Sequence, residues 1–340
     1  MTTDPSNPDA LDRGPSDPPD PKERAEEAAS RDEGPGLFGD DAPSIGAAQP
    51  YRVLARKYRP RRFEDLIGQE AMVRVLESAF KSGRIAHAFI LTGVRGVGKT
   101  TTARLIARAL NYTGDGADAP SLAMDTEGQH CAAIAASSHP DVIEMDAASR
   151  TGIGDVREII DSVRYHPVSA RYKVYIIDEV HMLSTAAFNG LLKTLEEPPP
   201  HCKFIFATTE IRKVPVTVLS RCQRFDLKRV RQEVLADHLA GIAKTEGAEI
   251  EDRALALIAR ASEGSVRDAL SLLDQAITLA PAGQTVSSLQ VQDMLGLSDR
   301  GRTIDLFTDL MAGQVRPALD CLRTLYDHGA DPQLIVSDLL

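Results

Sequence analysis

Residues 93–100, Gly93, Val94, Arg95, Gly96, Val97, Gly98, Lys99 and Thr100, have the spacing G-x-x-x-x-G-K-T, the pattern of a phosphate-binding loop. Glycines at those positions let backbone N–H groups close around a phosphate chain where a side chain would intrude. A helix that follows presents roughly +0.5 charge to the anion. Lys99 would neutralise the β- and γ-phosphates, the Thr100 hydroxyl would coordinate Mg2+, and Thr101 would complete the cradle. A second stretch, Val174 to Glu179, is an apolar run ending in two carboxylates. Asp178 would hold the Mg2+ shell, and Glu179 would polarise the attacking water. The pairing predicts ATP binding and hydrolysis.

These groups need a scaffold, and the hydrophobic pattern supplies one. Residues 84–92 read as a buried strand feeding the loop, and 101–110 as a helix directly after it. Further strands are expected at 142–145, 173–177 and 204–208, with helices at 155–163 and 186–197, the latter stopped by Pro198, Pro199 and Pro200. Asp155 followed by Glu158 fits a helix-capping arrangement. Apolar strands alternating with helices imply an α/β fold, a parallel sheet covered on both faces. Asp178 then falls at the carboxyl end of a strand, where open α/β sheets bind ligands. Beyond Leu227 only helical periodicity is evident, at 253–261 and 265–280, and near 287–296, 301–312, 315–327 and 331–340. Ser265 with Asp268 reads as a capping box.

Composition sets the limits. A chain of 340 residues with 43% hydrophobic and 5% aromatic residues and no Trp builds an aliphatic core of two or three domains. The net charge of −10 is uneven: residues 1–50 carry twelve acids and four bases. Residues 1–48, with eight of the 20 prolines, are expected to be a disordered acidic tail. No apolar run reaches the ~20 residues of a membrane span, and the polar start is not a signal peptide. The four cysteines, Cys131, Cys202, Cys222 and Cys321, are scattered, which fits a cytoplasmic location.

Three more positions narrow the class. Thr208 and Thr209 end the strand FIFAT, beside the expected γ-phosphate. Ser220-Arg221-Cys222 follows the loop KVPVTVLS, and Gly264-Ser265-Val266-Arg267-Asp268 opens a helix beyond the sheet. His181 reads as a packed or surface histidine.

From Tyr51 onward the chain resembles the AAA+ clamp loaders of DNA replication. The segments that carry the resemblance are ARKYRPRRFEDLIGQE at 55–70, GVRGVGKTTTARLIARALN at 93–111, EMDAASRTGIGDVREI at 144–159, KVYIIDEVHMLSTAAFNGLLKTLEEPPPHCKFIFATTE at 173–210, VTVLSRCQRF at 216–225 and EGSVRDALSLLDQA at 263–276. The resemblance implies an AAA+ ATPase domain at 49–228, a helical lid at 229–297 and the start of a helical collar, an oligomerisation domain, at 298–340. It implies that Arg221 is an arginine finger reaching the ATP of a neighbouring subunit, that Arg267 and Thr208 sense the γ-phosphate, and that Arg56, Ile67 and Gly68 border the adenine. Implied partners are delta and delta-prime subunits, further copies of the chain, the sliding clamp (beta), primed DNA and, through a region beyond Leu340, a polymerase core. A nucleoid-associated location follows. The polymerase reaction belongs to another subunit of such an assembly.

One departure concerns zinc. The family carries a four-cysteine module before the EMDAAS segment. Here Tyr112 stands at the first cysteine position and Asp125 and Gly128 at the next two, so only Cys131 matches. His130 and His139 give no ordinary ligand spacing, and zinc is not expected. Helix starts near 151–155 and 184–186, with Arg150 nearby, could face DNA phosphates, although Asp155 would compete for the first of these ends. The basic run Arg52, Arg56, Lys57, Arg59, Arg61, Arg62 is placed beside the nucleotide instead. Other readings stay open at this point: a branch-migration or helicase motor of the same fold, a non-hydrolysing scaffold, and a small-molecule phosphotransferase.

Overall fold

Short apolar strands bury both their faces only if helices cover the sheet on each side. Among the described residues of the computed structural model five strands do this: β1 (Ala88–Thr92), β2 (Val142–Asp146), β3 (Lys173–Asp178), β4 (Cys202–Thr208) and β5 (Gln223–Asp226). They pair in the order β2-β3-β4-β1-β5, all parallel. The structure describes residues 51–114, 119–279, 284–327 and 335. The acidic stretch at 1–48 and most of the helix expected at 331–340 lie outside them.

Alternation along the strands splits the core in two. Phe89, Leu91, Val174, Ile176 and Ile205 face α2 (Glu70–Lys81) and α3 (Lys99–Leu110), packing with Leu76, Phe80, Ile106 and Leu110. Ala88, Ile90, Tyr175, Ile177, Phe204 and Phe206 face α5 (Ile153–Val163) and α6 (Thr185–Glu196), packing with Val156, Ile159, Phe188 and Leu191. A short α4 (Cys131–Ala135) adds Cys131 and Ile134 to the first layer. The pairing register aligns Thr92 with Thr208 and Asp146 with Asp178, so the strands' carboxyl ends form one edge.

The first strand is shorter than the apolar run predicts, starting at Ala88 rather than Arg84. The intervening backbone is used elsewhere: Arg84 N–H bonds the Ala79 carbonyl, and the Ile85 and Ala86 carbonyls accept from Lys203 Nζ. Asp155 does not cap its helix. The N-cap is Gly152, in extended conformation, and Asp155 sits in the first turn, where its charge complements the helix dipole. Ser184 does cap α6, its hydroxyl accepting from Ala187 N–H at 3.2 Å. Strand β5 and the helices α1 (Leu54–Lys57) and α2 were not expected.

After α7 (Val216–Leu219) and β5, helices α8 (Gln232–Thr245), α9 (Asp252–Ala261), α10 (Val266–Leu279) and α11 (Ser288–Met294) build a separate core of Leu235, Leu239, Leu255, Ile258, Leu270 and Leu273. Leu54 of α1 is part of that core, and Lys57 and Tyr58 both bond Glu246, the residue that ends α8. Of the expected Ser265–Asp268 box, the forward half is present: Ser265 Oγ accepts from Asp268 N–H at 3.2 Å. Helices α12 (Leu297–Met311) and α13 (Val315–Asp327) pack through Leu306, Ala318 and Leu325. Among the described residues no helix is long and apolar enough to cross a membrane.

One buried carboxylate holds the loop before β3. Asp141, 0% exposed, accepts hydrogen bonds from Val168 N–H, Ser169 N–H and Oγ, and Ala170 N–H. Burial alone would push its pKa up, but these donors outweigh it and hold the carboxyl below its usual range. Removing it strands several donors, so Asp141→Ala is expected to cost about 2–4 kcal/mol. Because the fold resists protonation, this contribution is present above about pH 3.9 and is lost as pH falls through the lower folded value. Thermal melts of the two proteins should therefore draw together in acid; a gap that stays constant would contradict the assignment.

Candidate active site

The loop from Gly93 to Gly98 leaves β1 and enters α3 through Gly98, whose φ of +106° suits glycine. Gly93 has φ +154°, and a Cβ there would meet the Leu227 carbonyl at 2.7 Å, so only glycine fits beside β5's exit. Gly96 is under a second constraint: a Cβ would lie 2.0 Å from Ser265 Oγ. At that point α10 meets the loop, with Arg267 N–H donating to the Gly96 carbonyl at 3.1 Å. The Arg267 side chain is exposed, as is that of Arg95, while Val97 is buried in the core and Val94 packs against it.

Lys99 begins α3 and is 6% exposed. Its Nζ donates to the carbonyls of Gly93 and Val94, both at 3.1 Å. Burial lowers its pKa, and the Glu179 and Asp178 charges oppose that shift. One residue on, Thr100 Oγ1 lies 2.5 Å from Asp178 Oδ2. Asp178 Oδ1 accepts the Glu179 N–H at 2.9 Å. Thr101 follows on the same turn, half-buried. The donor set fits Mg2+: a hydroxyl and a carboxylate, both hard oxygens, at a helix N-terminus where phosphates would supply the other ligands. Among the described residues no three His, Cys, Asp or Glu side chains cluster to hold a metal by themselves.

Glu179 has left-handed backbone, φ +44° and ψ +46°, which costs a side-chain-bearing residue about 1–2 kcal/mol. Such strain is found where a side chain must be aimed. The Glu179 Oε2 accepts from Thr209 N–H at 3.2 Å and Thr209 Oγ1 at 2.9 Å. Thr208, fully buried at the end of β4, accepts Glu210 N–H at 3.0 Å and contacts His181 Nδ1 at 3.0 Å.

Lys99, Thr100, Asp178, Glu179 and Thr208 thus meet at one sheet edge, with the start of α10 resting on the loop. Gly68 has φ +71° and sits against Val230, and Ile67 packs on the core of α8–α11. Arg56 is exposed on α1. Arg221 is not gathered into this cluster. Its Nη2 pairs with Glu196 Oε1 at 2.5 Å and its Nη1 donates to the Thr217 carbonyl at 2.5 Å. At the departure from the cysteine module, Tyr112 is buried with its hydroxyl on Thr126, Cys131 is in the core, and His130 and His139 contact each other at 2.9 Å. From sequence alone His181 reads as a packed or surface residue and Glu196 has no assigned role. His181 sits between Glu179 and Thr208, its one signal being its position two residues past the second carboxylate. Glu196, the partner of Arg221, carried none.

Comparison with known proteins fits this geometry. Residues 68–231 match the family DNA polymerase III, delta subunit; residues 234–282 match the DNA polymerase III clamp loader subunit, ATPase lid domain; residues 286–340 match DNA polymerase III subunits gamma and tau domain III. The DNA polymerase III subunit tau/gamma of Haemophilus influenzae is 45% identical over 83% of this chain and 40% of its own length. The subunit gamma of Buchnera aphidicola subsp. Schizaphis graminum is 42% identical over 85% of this chain and 78% of its own. The chain spans about half the length, or less, of the tau relatives it matches. The RuvB Holliday junction branch migration motor of Thermotoga maritima superposes with a TM-score of 0.51 at 22% identity, covering 72% of this chain and 78% of that one, which establishes the AAA+ fold alone. A parallel sheet with this edge, a lid resting on its phosphate loop and relatives at this identity place the chain in the DNA polymerase III gamma/tau subunit family.

Proposed function

We propose that the chain is the ATP-driven motor subunit of a replicative clamp loader, hydrolysing ATP to place a sliding clamp on primed DNA. The observation that carries this is the convergence of the α3 start, Asp178, Glu179 and Thr208 on one sheet edge, capped by the first turn of α10. In this reading Gly93 to Thr101 cradle the triphosphate, and Lys99 neutralises its β- and γ-oxygens. Thr100 and Asp178 hold Mg2+, which when bound offsets phosphate charge. Glu179 accepts a proton from water as the water oxygen bonds phosphorus and the bond to ADP breaks. Thr208 and Arg267 read the γ-phosphate, and Arg56, Ile67 and Gly68 flank the adenine.

Because Arg267 N–H is bonded to the Gly96 carbonyl, any shift of the loop on losing the γ-phosphate is passed to the lid. Arg221 completes the site of the next subunit in the ring. The other members are delta, delta-prime and further copies of this chain, with the clamp and the polymerase core as clients, working in the cytoplasm at the nucleoid. The ATPase and lid domains are assigned to 49–228 and 229–297, and the collar begins at 298.

The test is ATPase rate for the chain alone and with partner subunits, clamp and primed DNA together. Hydrolysis should be slow alone and rise steeply only with the complete set. A rate that is already maximal for the isolated chain would overturn the reading.

A further inference from the structure

One buried titratable side chain touches two of the proposed catalytic groups at once. His181 lies on the short 3-10 turn Val180–Met182 directly after Glu179, with its side chain 6% exposed. Its Nδ1 is 3.0 Å from Thr208 Oγ1 and 3.4 Å from Glu179 Oε2. Its Nε2 is 3.4 Å from Glu210 Oε1, which Lys213 also holds, at 2.9 Å. We propose that His181 is a positioning residue for ATP hydrolysis: its Nδ1–H sets the direction in which the Thr208 hydroxyl donates and steadies Glu179. The proposal rests on the ATPase reading above.

The argument is a count of protons and lone pairs. A hydroxyl has one hydrogen and two acceptor sites. Thr208 Oγ1 already accepts Glu210 N–H at 3.0 Å. With the proton on Nδ1, His181 fills the second acceptor site, and the Thr208 hydrogen is left to point at a phosphate oxygen. With the proton on Nε2 alone, Nδ1 becomes an acceptor and takes that hydrogen for itself. Within 3.4 Å, Nδ1 faces two oxygens, Thr208 Oγ1 and Glu179 Oε2, and Nε2 faces Glu210 Oε1, which is shared with Lys213. The proposal assigns the Nδ1–H tautomer, the one that leaves the Thr208 hydrogen to the phosphate.

The same arrangement orients the carboxylate. Thr209 N–H, Thr209 Oγ1 and His181 Nδ1 all converge on Glu179 Oε2. Oε1 takes none of these contacts and is the oxygen presented to water. A purely space-filling role would not require a donor at Nδ1, which is what separates the two readings.

The test compares His181→Asn, His181→Gln and His181→Leu in the complete complex with clamp and primed DNA. The Asn amide places a donor near the Nδ1 position, the Gln amide near Nε2. The Leu and Gln variants are expected to lower kcat about 10–100-fold, with ATP affinity in a nucleotide titration unchanged, while Asn restores most of the rate. Equal impairment of all three, full activity of the Leu variant, or a loss of affinity in step with kcat would overturn the proposal. Absence of hydrolysis by the unaltered complex, run beside them, would remove the parent ATPase reading and this inference with it.

Discussion

Arg221→Ala is expected to lower ATP turnover of the assembled complex by about 10³-fold or more, while ATP affinity of the chain stays nearly unchanged. An arginine finger stabilises charge that develops only in the transition state, so its loss appears in kcat and not in ground-state binding. The geometry is consistent with action in trans. Arg221 sits between α7 and β5 and bonds Glu196 and Thr217 of its own chain, and no bond joins it to Lys99, Asp178 or Glu179. Arg221→Lys should recover little, because a point charge does not reproduce the planar fork. Steady-state turnover and equilibrium nucleotide binding, measured on the same preparations, check both halves. The isolated chain should be insensitive to the substitution, and an equal loss there would place the guanidinium in its own subunit's site.

Lys99→Ala is expected to act at the opposite step, by removing binding. Lys99 is buried at the first turn of α3, with its ammonium on the carbonyls of Gly93 and Val94. Charge-assisted hydrogen bonds to phosphate contribute about 1.5–3 kcal/mol each, so losing two of them weakens ATP binding by about 10²-fold or more. Turnover should fall to background at any practical ATP concentration. The substitution trims a side chain in a helix whose other contacts run through Leu105, Ile106 and Leu110. Circular dichroism should therefore show an unchanged fold. Binding titration decides the matter: ATP affinity equal to that of the unaltered chain would contradict the cradle assigned to residues 93–101.

Much of this site was legible because its physics is local. Gly93 to Thr100 carry their meaning in eight consecutive residues, and β3 and β4 are apolar runs whose last residues fall at the ligand edge of any parallel sheet. Strand β5 was not legible. Within Gln223–Asp226 only Phe225 is buried, so the strand has no apolar run, and its existence depends on pairing with β1. The start of α5 was misplaced for a related reason: an Asp three residues before a Glu signals a cap, but Gly152 takes the extended conformation first. His181 was undervalued because its partners lie 27 and 29 residues further on, at Thr208 and Glu210, and no periodicity encodes that meeting. Helices α12 and α13 show the reverse case. Their helical periodicity was plain in the sequence, yet Ile304, Met311, Val315 and Leu319 stay exposed in the single chain.

The account depends on one triphosphate being gripped by one copy and completed by its neighbour. Complexes assembled from a mixture of Lys99→Ala and Arg221→Ala chains test this most directly. Each variant alone should give an inactive complex. In the mixture, some seams join an intact Lys99 from one chain to an intact Arg221 from the next, and ATP hydrolysis should reappear at those seams. Mixed complexes of verified composition that stay as inactive as either parent would contradict the shared site.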